Sequence, residues 1–147
     1  MRQQRNGFTL IELVVVILIL GILAGVGAPK LFSTSGMATE NGVRQTLSII
    51  RDGIELYAAD NAGVFPACTT DGSDFHLTMK DYLRGKFPVS PVGTETNTVK
   101  PSNAPSLAAE ATPTSGWLYN PATGEFICNS NDPIPSDTTG TIRYDEL

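Results

Sequence analysis

Residues 13–28 read LVVVILILGILAGVGA, sixteen positions without one charged or polar side chain. Extended back to Phe8 the run has 21 residues, about 31 Å as an α-helix, which is the depth of a bilayer's hydrocarbon core. The ten Leu, Ile and Val residues between Leu13 and Leu23 favour insertion by about 3 to 6 kcal/mol, whereas a charged residue costs about 3 kcal/mol even at mid-membrane. Glu12 lies near the end of the run, so insertion survives it. The feature predicts a membrane-spanning helix. It also leaves the rest of the chain poorer in hydrophobic residues than the overall 41% suggests.

A cleaved secretory signal has the same outline, a basic stretch followed by an apolar run. Here a cut at Val26-Gly27-Ala28 would place Pro29 directly after it, where proline restricts the backbone, and a discarded signal has no use for Glu12. A generic anchor accounts for the length but not for the order of residues 7–12. Arg2 and Arg5, with no acid among the first seven residues, hold the amino terminus in the cytoplasm and send the rest across. From residue 30 onward eight Lys or Arg face fourteen Asp or Glu, a net charge near −6. That excess argues against nucleic acid as a partner of the globular part.

The order in question is Gly7-Phe8-Thr9-Leu10-Ile11-Glu12, preceded by MRQQRN. Over residues 7–32, with Pro29 at the corresponding place, it resembles the class III signal of type IV pilins and type II secretion pseudopilins. The resemblance implies that a prepilin peptidase cuts between Gly7 and Phe8 on the cytoplasmic side and that Phe8 becomes an N-methylated first residue. It also implies that Glu12 attracts the Phe8 amine of a neighbouring subunit entering a filament. The chemistry stands without the family. An acid in an apolar segment is costly unless paired or neutralised, and cleavage after Gly7 creates an α-amino cation at the depth of Glu12. Phe8 and Glu12 are also i and i+4, so pairing within one chain fits a helix as well. Both pairings stay open.

After Pro29 the pattern turns periodic. Val43, Leu47, Ile50, Ile54 and Tyr57 recur at spacings of 4, 3, 4 and 3, one helical stripe. It is expected to cover a small sheet of the same chain, with part of it free to meet neighbouring helices. Gly25, Gly27 and Pro29 weaken the helix between span and stem, so a kink or local melting is expected at Pro29. Asp60-Asn61-Ala62-Gly63 ends the stem. The expected organisation is a leader at 1–7, a transmembrane helix at 8–29, an amphipathic helical stem at 30–60 and a small β-rich globular part at 61–147.

Within the globular part, Val64-Phe65-Pro66 begins an extended segment. Residues 76–83 (HLTMKDYL) form a short helix capped by Ser73 or Asp74, and 94–115 is a polar surface loop. Trp117-Leu118-Tyr119 and Phe126-Ile127-Cys128 flank Asn120-Pro121-Ala122-Thr123-Gly124 as a β-hairpin, and residues 141–144 (TIRY) add an edge strand. YAADNAGVFP at 57–66 and GWLYNPATGEF at 116–126 resemble the corresponding stretches of major pseudopilins, with Ala62 an extra residue.

Cys68 and Cys128 are the two cysteines. In an oxidising compartment they pair, closing about 60 residues for roughly 4 kcal/mol in the chain-entropy model; the alternative is two buried thiols. Without a CxxC and with His76 as the single histidine, they do not read as a metal site. Many major pseudopilins hold calcium, but their acidic, Trp-containing stretch has no counterpart here, where FPVSPVG stands at 87–93. Asp71, Asp74, Asp132 and Asp137 are oxygen donors outside any EF-hand pattern and read first as solvated loop acids. No cofactor is expected. Nor is catalysis, since no nucleophile motif accompanies the lone histidine.

The expected fold class is α+β, a long amino-terminal helix on a small antiparallel sheet, in the ladle shape of pilins. The resemblance implies a structural subunit of a type II secretion pseudopilus, anchored in the bacterial inner membrane with its globular part in the periplasm. The partners implied are a prepilin peptidase, identical and related subunits, the inner membrane, and a secretion or pilus assembly machinery. A type IV pilus pilin for adhesion, motility or DNA uptake is the near alternative. A membrane-tethered binding module that never polymerises is the distant one.

Overall fold

The computed structural model describes residues 7–147, with the backbone alone for 28–33; Arg2, Arg5 and the rest of the expected leader before Gly7 lie outside the described residues. The chain forms two units, one running to Ser35 and the other spanning Gly36–Leu147. Helix α1 is Leu10–Asp60. Its stretch Leu10–Gly27 has a mean hydropathy of 2.8, none of it is buried by the rest of the chain, and it is long and apolar enough to cross a membrane. The backbone is helical rather than melted through Gly25, Gly27 and Pro29, and the Pro29 side chain lies outside the described residues.

In the second unit the stripe does what its spacing requires. Val43, Leu47, Ile50 and Ile54 are buried, and Tyr57 meets Tyr82 edge-on at 5.4 Å. The four buried residues share one core with Phe75 and Met79 of α2 (Ser73–Met79) and with Val99, Trp117, Tyr119, Phe126 and Cys128. α1 stops where the sequence turns to Asn and Gly: Gly63 N donates to Ala58 O at 2.7 Å, with φ of 84° at Gly63 and 55° at Ala62. Glycine takes the left-handed conformation freely, whereas Ala62, the extra residue of this turn, carries a cost of about 1 kcal/mol.

The sheet has three strands in the order β1 (Val99–Pro101), β2 (Trp117–Tyr119) and β3 (Phe126–Cys128). β2 and β3 form the expected antiparallel hairpin, with Trp117 opposite Cys128 and Tyr119 opposite Phe126. β1 joins β2 in parallel, Val99 opposite Trp117, so the sheet is mixed rather than wholly antiparallel. β1 arises inside the segment expected to be a surface loop. Its polar neighbours conceal one fully buried residue, Val99. Alternation sorts the hairpin into two faces: Trp117, Tyr119, Phe126 and Cys128 meet the helices, while Leu118 and Ile127 close over Leu107.

Two other elements differ from expectation. α2 begins at Ser73 behind Gly72, whose φ is 68°, and ends at Met79; Asp74 lies inside its first turn, bonded to Thr69 N and Phe75 N, and Asp71 just before the helix accepts from Ser73 N. Residues 141–144 make an isolated bridge, Pro133 with Arg143, and lead into the 3-10 helix Tyr144–Glu146 rather than forming a strand. Asp137 Oδ2 accepts from the backbone N–H groups of Thr141 and Ile142, both at 2.7 Å, taking donors that an edge strand would give to its neighbour.

Candidate functional site

Gly7, Phe8 and Thr9 precede the helix, and Glu12 stands in its first turn. The local sequence Thr9-Leu10-Ile11-Glu12 forms a reciprocal cap: Thr9 N and Oγ1 donate to Glu12 Oε2, each at 3.3 Å, and Glu12 N donates to Thr9 Oγ1 at 3.3 Å. Thr9 was not among the expected functional residues, although Thr-x-x-Glu ahead of an apolar run is its signal. Phe8 is 83% exposed. Glu12 bonds to Thr9 and not to Phe8, whose nitrogen is still an amide of Gly7 in this chain. Glu12 Oε1 has no partner among the described residues. The arrangement is an acid held at a helix start, in a span with no cover of its own, one turn from the nitrogen that cleavage would ionise.

The other singled-out residues lie apart from this segment, in the second unit. Cys68 and Cys128, the pair expected to close in an oxidising compartment, stand here as free thiols. Cys68 Sγ donates to Thr69 O at 3.5 Å, while buried Cys128 lies 3.5 Å from Ser90 Oγ and 3.9 Å from Gly116 O. The hairpin separates them. The chain leaving α1 is tied at Pro66 O to the Tyr119 hydroxyl, at 3.0 Å, near the turn, whereas Cys128 pairs with Trp117 at the opposite end. Burial, reinforced by Asp74 and Asp71, pushes the Cys68 thiol up to about 12. Burial pushes Cys128 up to about 11, against a hydrogen bond from Ser90.

Of the four acids weighed for calcium, Asp71 and Asp74 share Thr69, while Asp132 and Asp137 bind partners nearer the carboxy terminus. Asp71 Oδ1 accepts from Ser73 N and Oγ and from Thr69 Oγ1 at 3.0 to 3.1 Å, and the Ser73 N–H leads the causes that hold its carboxyl below the usual range. Asp74 binds Thr69 N at 2.8 Å, and Asp132 accepts from Ser130 Oγ at 2.8 Å. Asp137 is held well below the usual carboxylate range, first by the Ile142 N–H. Among the described residues no three His, Cys, Asp or Glu gather as metal ligands. His76 stacks on Phe87 at 4.3 Å with Nε2 buried and unpartnered among the described residues.

Residues 2–28 match the family described as prokaryotic N-terminal methylation motif. Type II secretion system core protein G of Pseudomonas aeruginosa is 38% identical over 60 residues, 41% of this chain and 42% of that protein. The protein of the same name from Vibrio cholerae is 28% identical over 141 residues, 89% of this chain and 94% of the relative. The likeness to pilin-like proteins is carried by the amino-terminal segment. Type IV narrow pilus major component PilA5 of Thermus thermophilus is similar as well, 34% identical over 63 residues that cover 43% of this chain and 53% of PilA5. The chain spans about two fifths of the length of the first curated relatives it matches. No solved structure matches it at comparable strength. Among the described residues one amino-terminal apolar helix, with a mixed α+β unit beyond it, fits membrane anchoring.

Proposed function

We propose that this pilin-like chain is a subunit of a type II secretion pseudopilus, processed between Gly7 and Phe8, N-methylated on Phe8 and polymerised through its amino-terminal helix in support of protein export. The observation that carries the reading is the placement of Glu12, in the first turn of an unburied span and one turn from the Phe8 nitrogen, within the stretch matching the methylation motif. Cleavage makes that nitrogen a cation, and a carboxylate and an ammonium in a low-dielectric layer attract strongly. The amine of the next subunit supplies the pairing that sets the stagger. Arg2 and Arg5 keep the leader at the cytoplasmic face of the inner membrane, where a prepilin peptidase acts, and the second unit lies in the periplasm. The chain carries structure rather than catalysis.

Likeness to PilA5 favours a second reading, a type IV pilin in a surface filament. Full-length Glu12→Val decides the common part. Expressed with its assembly system, it should be cleaved normally yet leave the sheared polymer fraction. Wild-type levels of polymer from this variant would defeat the pairing. Deleting the retraction ATPase against the secretion ATPase of the host then separates pilus from pseudopilus.

A further inference from the structure

The two edges of the sheet meet at a single carboxylate. Lys100 lies in β1 and Asn129 directly follows β3, the strands on either side of β2. Alternation from Val99 and Cys128, which face the helices, turns both residues to the opposite face. Glu110 comes from the polar segment between them. Lys100 Nζ pairs with Glu110 Oε1, and Asn129 Nδ2 donates to Glu110 Oε2 at 3.2 Å. The Glu110 N–H in turn donates to Asn129 Oδ1 at 2.9 Å. Asn129 is fully buried, whereas the side chains of Lys100 and Glu110 are 40% and 29% exposed. The other ion pair among the described residues, Arg44 with Glu40, abuts the Ser136 hydroxyl rather than an amide.

Each group stands where exchange of an amide needs it. The N–H on Oδ1 polarises the Asn129 carbonyl and is placed to hold the charge that this oxygen gains when Cγ is attacked. The carboxylate touches the lysine with one oxygen and the amide nitrogen with the other, so it can take a proton from the first and give one to the second. A lysine relieved of its proton is a nucleophile. At rest that proton stays on the lysine, and the hydrogen bond from Lys100 is the leading cause that holds the Glu110 carboxyl below its ordinary 4.5. Ser115 Oγ, 3.1 Å from Nδ2, does not compete, because it accepts from Nδ2 and donates its own proton to Trp117 O at 3.0 Å. Burial of Asn129 keeps water from the amide and so disfavours hydrolysis to aspartate.

We propose that Lys100 and Asn129 join in an intrachain isopeptide bond, with Glu110 as the acid–base group. Lys100 Nζ passes a proton to Glu110 Oε1 and attacks Cγ of Asn129; the Nζ–Cγ bond forms and the Cγ–Nδ2 bond breaks. Both protons that the lysine gives up end on the leaving nitrogen, which departs as ammonium, and Glu110 is a carboxylate again. No oxidant or cofactor takes part. Ammonium diffuses away, so the bond persists once made. It ties β1 across β2 to the end of β3, in a sheet whose strands have three residues each, and it owes nothing to the filament reading.

The test is the mass of the full-length chain, reduced and kept folded in detergent at about pH 9, where lysines are more often neutral. The wild type should come to weigh one ammonia, about 17 Da, less than its peptide sequence. A glutamate-specific protease cuts between the partners at Glu110 and Glu125 and should release the peptides holding Lys100 and Asn129 as one branched product. Lys100→Arg, which keeps the ion pair, and Asn129→Ala should retain the full mass, and Glu110→Gln should close about a hundredfold more slowly. Near-ultraviolet circular dichroism follows the fold; if alkali unfolds the chain, the incubation is lengthened at neutral pH. A folded wild-type chain that keeps its full mass holds an ion pair and no more, which overturns the proposal. A loss of about 17 Da that persists in Lys100→Arg overturns it too, because ring closure at Asn41-Gly42 sheds the same ammonia.

Discussion

Replacing Glu40 by alanine should destabilise the second unit far more than a polar residue on a solvated-looking stretch of helix would suggest. Glu40 is only 3% exposed. Its carboxylate accepts from Ser136 N at 3.0 Å and Ser136 Oγ at 2.7 Å, and from Arg44 Nε and Nη2 at 3.1 and 2.9 Å. Next to it Pro135 lies so close to the stem that a Cβ on Gly36 would come within 3.0 Å of it. The two Ser136 bonds join segments 96 residues apart, whereas Arg44 is an i+4 neighbour on the same helix with a half-exposed side chain. Hydrogen bonds to a charged group contribute about 1.5 to 3 kcal/mol, and an i,i+4 pair about 0.5. Allowing for water to reach Ser136 once the carboxylate is gone, Glu40→Ala should cost about 3 kcal/mol and Glu40→Gln about 1 to 2.

For a unit of this size each kcal/mol moves the melting temperature by roughly 3 to 5 °C, so the alanine variant should melt about 10 °C lower, read by near-ultraviolet circular dichroism of the full chain in detergent. The sign of the pH dependence follows from Ser136, the leading cause that holds the Glu40 carboxyl below its ordinary 4.5. A group with a depressed folded value stabilises the fold above its unfolded value, and that stability is lost as pH falls through the folded one. The gap between wild type and Glu40→Gln should therefore be full at pH 7 and shrink below about pH 4. A Glu40→Ala melt within about 2 °C of wild type, or a Gln gap that widens on acidification, would refute the reasoning.

Two further outcomes test the interior. With burial raising Cys68 to about 12 and Cys128 to about 11, iodoacetamide at pH 8 should label the folded chain on the order of a hundredfold or more slower than an unperturbed cysteine near 8.5. The intact mass should carry both thiols; a mass lower by about 2 Da in the exported chain would mean the pair closes after all. Trp117 is fully buried, stands 5.5 Å from the Phe126 ring and donates Nε1–H to Pro88 O at 3.0 Å. Trp117→Ala should cost about 4 kcal/mol in urea denaturation, and a loss under about 1 kcal/mol would show that the hairpin face is not the centre of the core.

What could be read from the sequence was what repeats or is local. The stem stripe has a helical period, and the hairpin has its turn residues between two aromatic strands, so both appear where periodicity and turn chemistry put them. β1 gave no such signal, because a three-residue strand with one buried side chain, Val99, shows no alternation, and its parallel partner is set by tertiary contact. The TIRY segment has strand composition, yet Asp137 claims its amides. Glu40 reads as a helix surface residue until Ser136 arrives from the far end of the chain. In the amino-terminal segment, Glu12 and Phe8 were legible from cost, since an acid in an apolar run demands a partner. Thr9 was legible too, but its Thr-x-x-Glu spacing was outweighed by the charges on either side.

Glu12 sits at the mouth of a span that nothing in its own chain covers, and the medium decides what a charge pair there can do. Low dielectric strengthens such a pair and excludes screening salt, whereas an exposed ion pair contributes about 0 to 1 kcal/mol and fades with ionic strength. On the proposed filament reading, cohesion should therefore reside in the amino terminus. Loss of polymer in Glu12→Val should persist at every ionic strength, and recovery of polymer as salt rises would show that a membrane-embedded pairing is not what holds the subunits together.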